Sequence, residues 1–600
     1  MFVRYFSRIC FDFSFFTNML HYTLSCHRAA DQLIEVSLET EIPAGSTRLY
    51  LPRWRPGRYE LQNYASLVSD VRALNAAGQP LPITKVSTHG WQVEAEQATR
   101  LTLHHVFFAD QSEAGGSYLD ATQLMVNGIN LLLYPEGGED TPCRLRLDLP
   151  EGFAVSGGMQ EEGGAFAFDS FHQLVDSPFL AGTNLQHHCF TVQHLPIHLW
   201  FLGDCRPDMT RLEQDIRAYT EAQLAFFGQY PVEDYHYLYR MLPQRYRHGV
   251  EHHRSTVIAM GPGRDLMRPD VYRSLLEISS HEFFHTWNVK ALRPADMWPY
   301  EYQQENYSRL HYITEGITTY YGDLMLWKAG VWTFDQWLNS INGELARHYQ
   351  MGGKDYTALT EASFDSWVNG YHNQGIPNRR ISFYTKGYLV AMLLDFDIRQ
   401  ATHHRASLDT VMRQLYHRIT AAGRGYTRAD VQGLIEAQTG QRYDAFFAAY
   451  IEGIEDLSPA LRQLGDFYGL SLLHLSSQSP AEAQWGLKSA PTARGTLEVT
   501  HLYPGSPLLA AGVSKGDELV AVGGYQLRDD LDQWLPYLSE TDSISLHYFH
   551  QGRLCEASIS RETGYRRQTP QFVIQSEPSP VQLANREAWQ RVEEPAMRDS

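Results

Sequence analysis

The chain has 600 residues, 43% of them apolar and 12% aromatic, with a formal net charge of −19. That is too long for one core, pointing to about three to four domains, and too apolar for a disordered chain. The acidity argues against nucleic acid or an anionic membrane as main partner, since both reward basic patches.

Residues 1–20 are aromatic-rich, but Arg4, Arg8 and Asp12 interrupt them. No uninterrupted apolar stretch with a small-residue cleavage site is present, and the segment is too short and too charged to span a bilayer. It reads as an extension or a non-native start, the true start being Met1 or Met19. Six scattered cysteines (Cys10, Cys26, Cys143, Cys189, Cys205, Cys555) form no C-x-x-C pair, which suits a reducing compartment and offers no thiolate metal site. The expected location is the cytoplasm, with the periplasm left open.

Residues 21–179 read as strands. Ile34, Val36 and Leu38 alternate with Glu35, Ser37 and Glu39, and the same period-2 texture returns at residues 47–54, 91–95, 101–108 and 143–149. Residues 51–59, Leu-Pro-Arg-Trp-Arg-Pro-Gly-Arg-Tyr, read as a strand followed by a fixed turn rather than a binding element.

Between residues 180 and 460 short strands are expected at 189–193 and 197–201, a helix at 209–227, and a strand at 235–241. Residues 245–253 then form a loop into a strand at 255–260. Helices dominate afterwards, including 335–349, 386–400, 408–419 and 428–439. The first long one, 269–292, has Pro269 near its start and apolar residues at Val271, Leu275, Leu276 and Ile278.

That helix carries His281-Glu282-Phe283-Phe284-His285. Positions i and i+4 share a helix face, so His281 and His285 present two imidazoles to one point, with Glu282 one step round. Zinc held in this way keeps room for a water, and a carboxylate beside that water serves as general base. With 26 histidines, H-E-x-x-H arises by accident in roughly one such chain in fifteen, so a third ligand is needed. Glu315 supplies it, 30 residues beyond His285 on a second helix read over residues 306–328, and the adjoining Gly316 would permit close approach to the first helix.

Residues 466–562 return to strands. Lys515-Gly516-Asp517 opens a hydrophobic strand that closes on Gly523-Gly524, the texture of a PDZ module, which binds a chain end or strand at a sheet edge. A packed accessory domain without a ligand fits the same pattern. The tail, residues 563–600, is rich in Pro, Gln and Glu and is expected to drape or fray.

Taken together, these stretches resemble the glycyl aminopeptidase family of gluzincin metallopeptidases. The likeness rests on W-x-P-G-x-Y at Trp54 to Tyr59, H-E-F-F-H-x-W-N-V-K at His281 to Lys290, E-G-x-T-x-Y-Y at Glu315 to Tyr321, Y-x-K-G at Tyr384 to Gly387, and the terminal PDZ texture. It implies a multidomain α+β fold: an N-terminal β-sandwich-like domain (21–179), a thermolysin-like, mainly helical catalytic domain with a small sheet (180–460), and a C-terminal PDZ domain (466–562). It further implies one Zn2+ per chain on His281, His285 and Glu315, with Glu282 as base and Tyr384 as donor to the transition state. The clan's exopeptidases hold the substrate amine on the Glu of a G-x-M-E-N loop. Here Gly249-Val250-Glu251-His252 resembles it, with Val and His as departures, which implies Gly249 and Glu251 as the substrate-binding residues.

The expected function is a zinc aminopeptidase acting on peptides with a free, small N-terminal residue such as Gly or Ala. Another gluzincin hydrolase, an endopeptidase or an epoxide hydrolase, is the alternative within the same chemistry. A catalytically silent scaffold that binds through its PDZ domain is the alternative from a different class.

Overall fold

The structure is a computed structural model and describes residues 19–371, 376, 378–560 and 564–592. Of the possible extension at residues 1–20, residues 1–18 lie outside them, and Leu20 begins the first strand. The chain divides into two compact units: Met1–Pro207 with Val232–Val271 and Tyr302–Glu305, and Asp208–Pro231 with Tyr272–Glu301 and Asn306–Ser600.

The first unit is β-rich. Its largest sheet has eight strands, in which Leu33–Ile42 pairs antiparallel with Leu20–Arg28 on one side and Thr99–Phe108 on the other. Ile34, Val36 and Leu38 point into the core and Glu35 to solvent, as period-2 alternation requires. A five-stranded sheet follows in the order Gln186–Val192, Leu195–Leu202, Tyr235–Met241, Ser255–Gly261, Tyr246–Glu251. Tyr235–Met241 is parallel to both neighbours and buried along its whole length, His236 and Arg240 included.

One expectation fails here. Residues 245–253 are not a loop: Tyr246–Glu251 is an edge strand paired antiparallel with Ser255–Gly261, from Tyr246↔Gly261 to Glu251↔Thr256. Arg247, His248 and Gly249 hide the alternation that Val250 alone carries, and pairing with Ser255–Gly261 overrides the weak local preference.

The second unit is helical, with a sheet near its C-terminal end. Its central helix, Phe383–Thr402, starts at Ser382, whose side chain accepts from the Thr385 N–H at 3.2 Å. It is buried on nearly every side because Tyr312–Ile317, Thr318–Lys328 and Phe334–Gln350 pack around it. A sheet of Leu487–Pro491, Leu497–Leu502, Glu518–Val522, Ser543–His550 and Arg553–Ser560, with Tyr525–Gln526 beside it, encloses its own core of Leu497, Val499, Leu519, Val522 and Leu546.

The tail does not fray where it is described. Gln568–Ile574 pairs antiparallel with Leu470–Ser476, and Pro580–Gln590 is a helix begun by a Ser579/Gln582 capping box. Trp589 is fully buried, and its indole N–H reaches Tyr320 Oη at 3.0 Å and Asp395 Oδ2 at 3.1 Å. One aromatic anchor, invisible in a composition average, docks the whole segment. Among the described residues no helix is long and apolar enough to cross a membrane.

Candidate metal centre

The helix bearing His281 and His285 is shorter than its apolar pattern suggests. Regular α-helix runs Pro269–Phe284, and a π-helical stretch, Thr286–Ala291, follows with Asn288 at φ −111, ψ 85. The cause is visible in the bonds. His285 Nδ1 donates to the Asn288 carbonyl at 2.7 Å, and the Asn288 amide nitrogen donates to Ile313 O at 2.8 Å and Thr318 Oγ1 at 3.0 Å. Thr318 Oγ1 in turn contacts Asn288 O at 3.1 Å and Thr314 O at 2.7 Å. The chain leaves helical geometry where one buried asparagine bridges the segments that carry His285 and Glu315.

Glu315 sits on the second of these. This helix does not begin at residue 306 but at Tyr312, with a π-helical Tyr312–Ile317 continuing into α-helix at Thr318–Lys328. The wide π turn is where Glu315 is set. The atoms nearest to Gly316 lie on another helix than the one bearing His281. A Cβ on Gly316 would lie 2.5 Å from Gly387 Cα, on the Phe383–Thr402 helix. Gly322 is the glycine against the first helix: a Cβ there would lie 3.0 Å from His281 Cα. Ser280 locks the same contact, donating to Gly322 O at 2.7 Å and accepting from Gln223 Nε2 at 3.0 Å.

These supports bring His281, His285 and Glu315 together, with ligand atoms all within 4.8 Å of one another. The two Nε2 atoms are 3.0 Å apart with rings at 84°, and His285 Nε2 is 3.4 Å from Glu315 Oε2. Because Nδ1 of His285 carries the proton given to Asn288 O, its Nε2 presents a lone pair to the shared point. Zinc bonds of about 2.0–2.2 Å place tetrahedral ligand atoms about 3.3 Å apart, so two imidazoles and one carboxylate at these spacings fit that ion. His285, Glu315 and Glu282 are buried, at 2%, 2% and 5% exposure, a setting that strengthens charge interactions.

Tyr384 stands at the start of the Phe383–Thr402 helix, half-buried, one turn before the Gly387 that touches Gly316. Lys386 beside it is buried, with its ammonium pushed down to about 8 by desolvation. Glu251 and Gly249 lie on the edge strand of the first unit, Glu251 at 4% exposure. Among the described residues, His248, His252, His253 and His311 join no group of three that could hold a metal. His311 is fully buried and its pKa falls to about 3, which keeps it neutral.

Asn288, Thr318, Gly322, Ser280 and Gln223 are the residues that sequence reasoning passed over. Asn288 and Thr318 stand inside the H-E-F-F-H-x-W-N-V-K and E-G-x-T-x-Y-Y stretches, so their presence there was a signal. Gln223, 57 residues before Ser280, has none.

Residues 21–183 match the Peptidase M61 N-terminal domain, and residues 274–390 match M61 glycyl aminopeptidase. No curated protein matches the chain by sequence. Among solved structures, an aminopeptidase N family protein from Idiomarina loihiensis is similar with a TM-score of 0.87 at 25% identity, over 95% of this chain and 100% of that one. An M1 zinc metallopeptidase from Deinococcus radiodurans, a variant bound to Tyr-Ser-Ala, has a TM-score of 0.45 at 15% identity, over 73% of this chain and 94% of that one. Two stretches of the chain are thus similar to the N-terminal and catalytic models of the M61 glycyl aminopeptidase family, and the second holds the His281, His285 and Glu315 cluster.

Proposed function

We propose that this protein is a zinc-dependent aminopeptidase that removes small N-terminal residues, Gly or Ala, from peptides. The observation that carries the reading is the convergence of two imidazole nitrogens and one carboxylate, with His285 and Glu315 buried and His281 half-buried, within a matched M61 glycyl aminopeptidase stretch. His281, His285 and Glu315 would hold one Zn2+. The bound ion supplies an open coordination position and lowers the pKa of a water there towards about 7.

The chain's own residues do the rest. Glu282 takes the proton from the attacking water and passes it to the departing amine. The Tyr384 hydroxyl donates to the oxygen that gains charge as the carbonyl becomes tetrahedral. Glu251 receives the substrate's α-ammonium, which fixes cleavage one residue from the chain end, and Gly249 leaves backbone room beside it. The C-terminal sheet works as a PDZ-type module that accepts a peptide end or strand at its edge.

The test is Glu282→Gln, which keeps the metal and loses turnover; normal turnover in that variant defeats the assignment. Comparing free with N-acetylated glycyl and alanyl peptides separates exopeptidase from endopeptidase, since equal rates on both would remove Glu251 from its role.

A further inference from the structure

Glu251 Oε1 is buried and takes no hydrogen bond among the described residues. A buried carboxyl oxygen without a hydrogen-bond partner is costly, and a ligand donor that meets it removes that cost. The surroundings within the first unit are the turn that follows Trp54. Gly57 there has φ +80, and a Cβ on it would lie 2.9 Å from Glu251 Cδ and Oε1 and closer still to Oε2. No real Cβ approaches so near, and the left-handed φ disfavours side chains independently.

The turn and the strand end are tied together. Arg58 bonds Glu60 and, at 2.6 Å, Glu113 Oε2. Glu113 Oε2 lies 3.6 Å from His248 Nδ1, and the next backbone N–H, Ala114, donates to that nitrogen at 3.3 Å. Burial and then the nearby Arg55 push the His248 pKa down to about 4, so the ring is neutral and able to accept. His248 stands three residues before Glu251 on the same strand, and the Arg55 guanidinium lies against Gly115 in the space a Cβ would need. The residues read from sequence as a fixed turn are therefore braced against the Glu251 strand.

We propose that Gly57 is a positioning residue: through its missing side chain and its braced turn it sets the Glu251 carboxylate so that Oε1 is free for the α-ammonium of a small N-terminal residue. This rests on the reading of Glu251 given under Proposed function. Gly57 acts through Glu251 and touches no reacting atom.

The test compares Gly57→Ala, Glu251→Gln and Gly78→Ala in the full-length metal-loaded protein. Gly78 has φ +75, and a Cβ there would meet nothing within 4 Å, so it reports backbone strain alone. Gly57→Ala is expected to raise KM for glycyl and alanyl arylamides at least tenfold, with kcat changed less and metal content retained, while Gly78→Ala leaves both constants alone. A KM rise in Glu251→Gln with none in Gly57→Ala overturns the proposal alone. An unchanged KM in Glu251→Gln overturns the role of Glu251, and the proposal with it. Should Gly57→Ala not fold, Gly57→Ala/Glu251→Asp decides. The shorter carboxylate withdraws from the added methyl, so recovered folding supports the proposal, and continued failure beside a folded Gly78→Ala overturns it.

Discussion

Gly316 and Gly387 touch backbone to backbone: a Cβ on Gly316 would meet Gly387 Cα at 2.5 Å, and one on Gly387 would meet Gly316 Cα at 2.8 Å. Neither residue has a positive φ, so what they share is close approach rather than a special turn. The contact joins the turn bearing Glu315 to the helix bearing Tyr384. It explains why a glycine follows Glu315 and another closes Y-x-K-G.

Gly387→Ala should therefore push the two segments apart. Overpacking of this kind costs about 1–3 kcal/mol. The expected result is a lower melting temperature together with weaker zinc retention under chelator competition, since Glu315 moves with the turn. Unchanged zinc retention would show that the contact serves packing alone.

Asn288→Ala removes the bridge between the two ligand-bearing segments and leaves the Ile313 and Thr318 partners unmet. The main-chain carbonyl that accepts from His285 survives the substitution, so the effect comes through the placement of the two segments, and zinc binding should weaken by less than the roughly 10–100-fold typical of removing a ligand's own hydrogen-bond partner. Zinc affinity by competition titration checks this, and kcat at saturating zinc should recover much of the wild-type value.

Trp589→Ala tests the C-terminal helix. The indole stacks on Tyr468 at 3.9 Å and packs edge-on to Trp337 at 4.5 Å, besides its bonds to Asp395 and Tyr320. Truncating a buried tryptophan costs about 3–5 kcal/mol. Beneath it Asp409 holds Lys328 at 2.6 Å, and although burial alone would raise its carboxyl, Lys328 and Arg399 keep it below the usual range. Chemical denaturation of the second-unit signal should shift to lower denaturant, with the metal ligands themselves intact.

His348 is buried, and its pKa falls from 6.5 to about 3, through desolvation first and then Lys386 and Lys354. Between those values the unfolded chain binds the proton and the folded chain does not, so stability decreases as pH drops below about 6.5. The loss by strongly acid pH is on the order of a few kcal/mol. His348→Gln should flatten the dependence of the unfolding midpoint between pH 7 and 5, a slope measurable by denaturant titration; an unchanged slope would place the acid sensitivity elsewhere.

Local spacing carried a large share of this protein. His281, Glu282 and His285 were legible because helical periodicity ties residues four apart to one face, and Met209–Phe227 and Tyr235–Met241 ran where their patterns placed them. Glu315 was legible from its helical pattern and Gly316, and Tyr384 only as a motif residue, with no sign in either case that Gly316 meets Gly387. The break after Phe284, the π turns around Asn288 and Glu315, the pairing of Gly322 with His281 and of Gly316 with Gly387, the Gly57 roof over Glu251, and the docking of Trp589 all depended on tertiary packing. Each joins residues far apart in the chain, where no periodicity reaches, and each is set by which backbone surfaces close-pack and which buried polar groups must find partners.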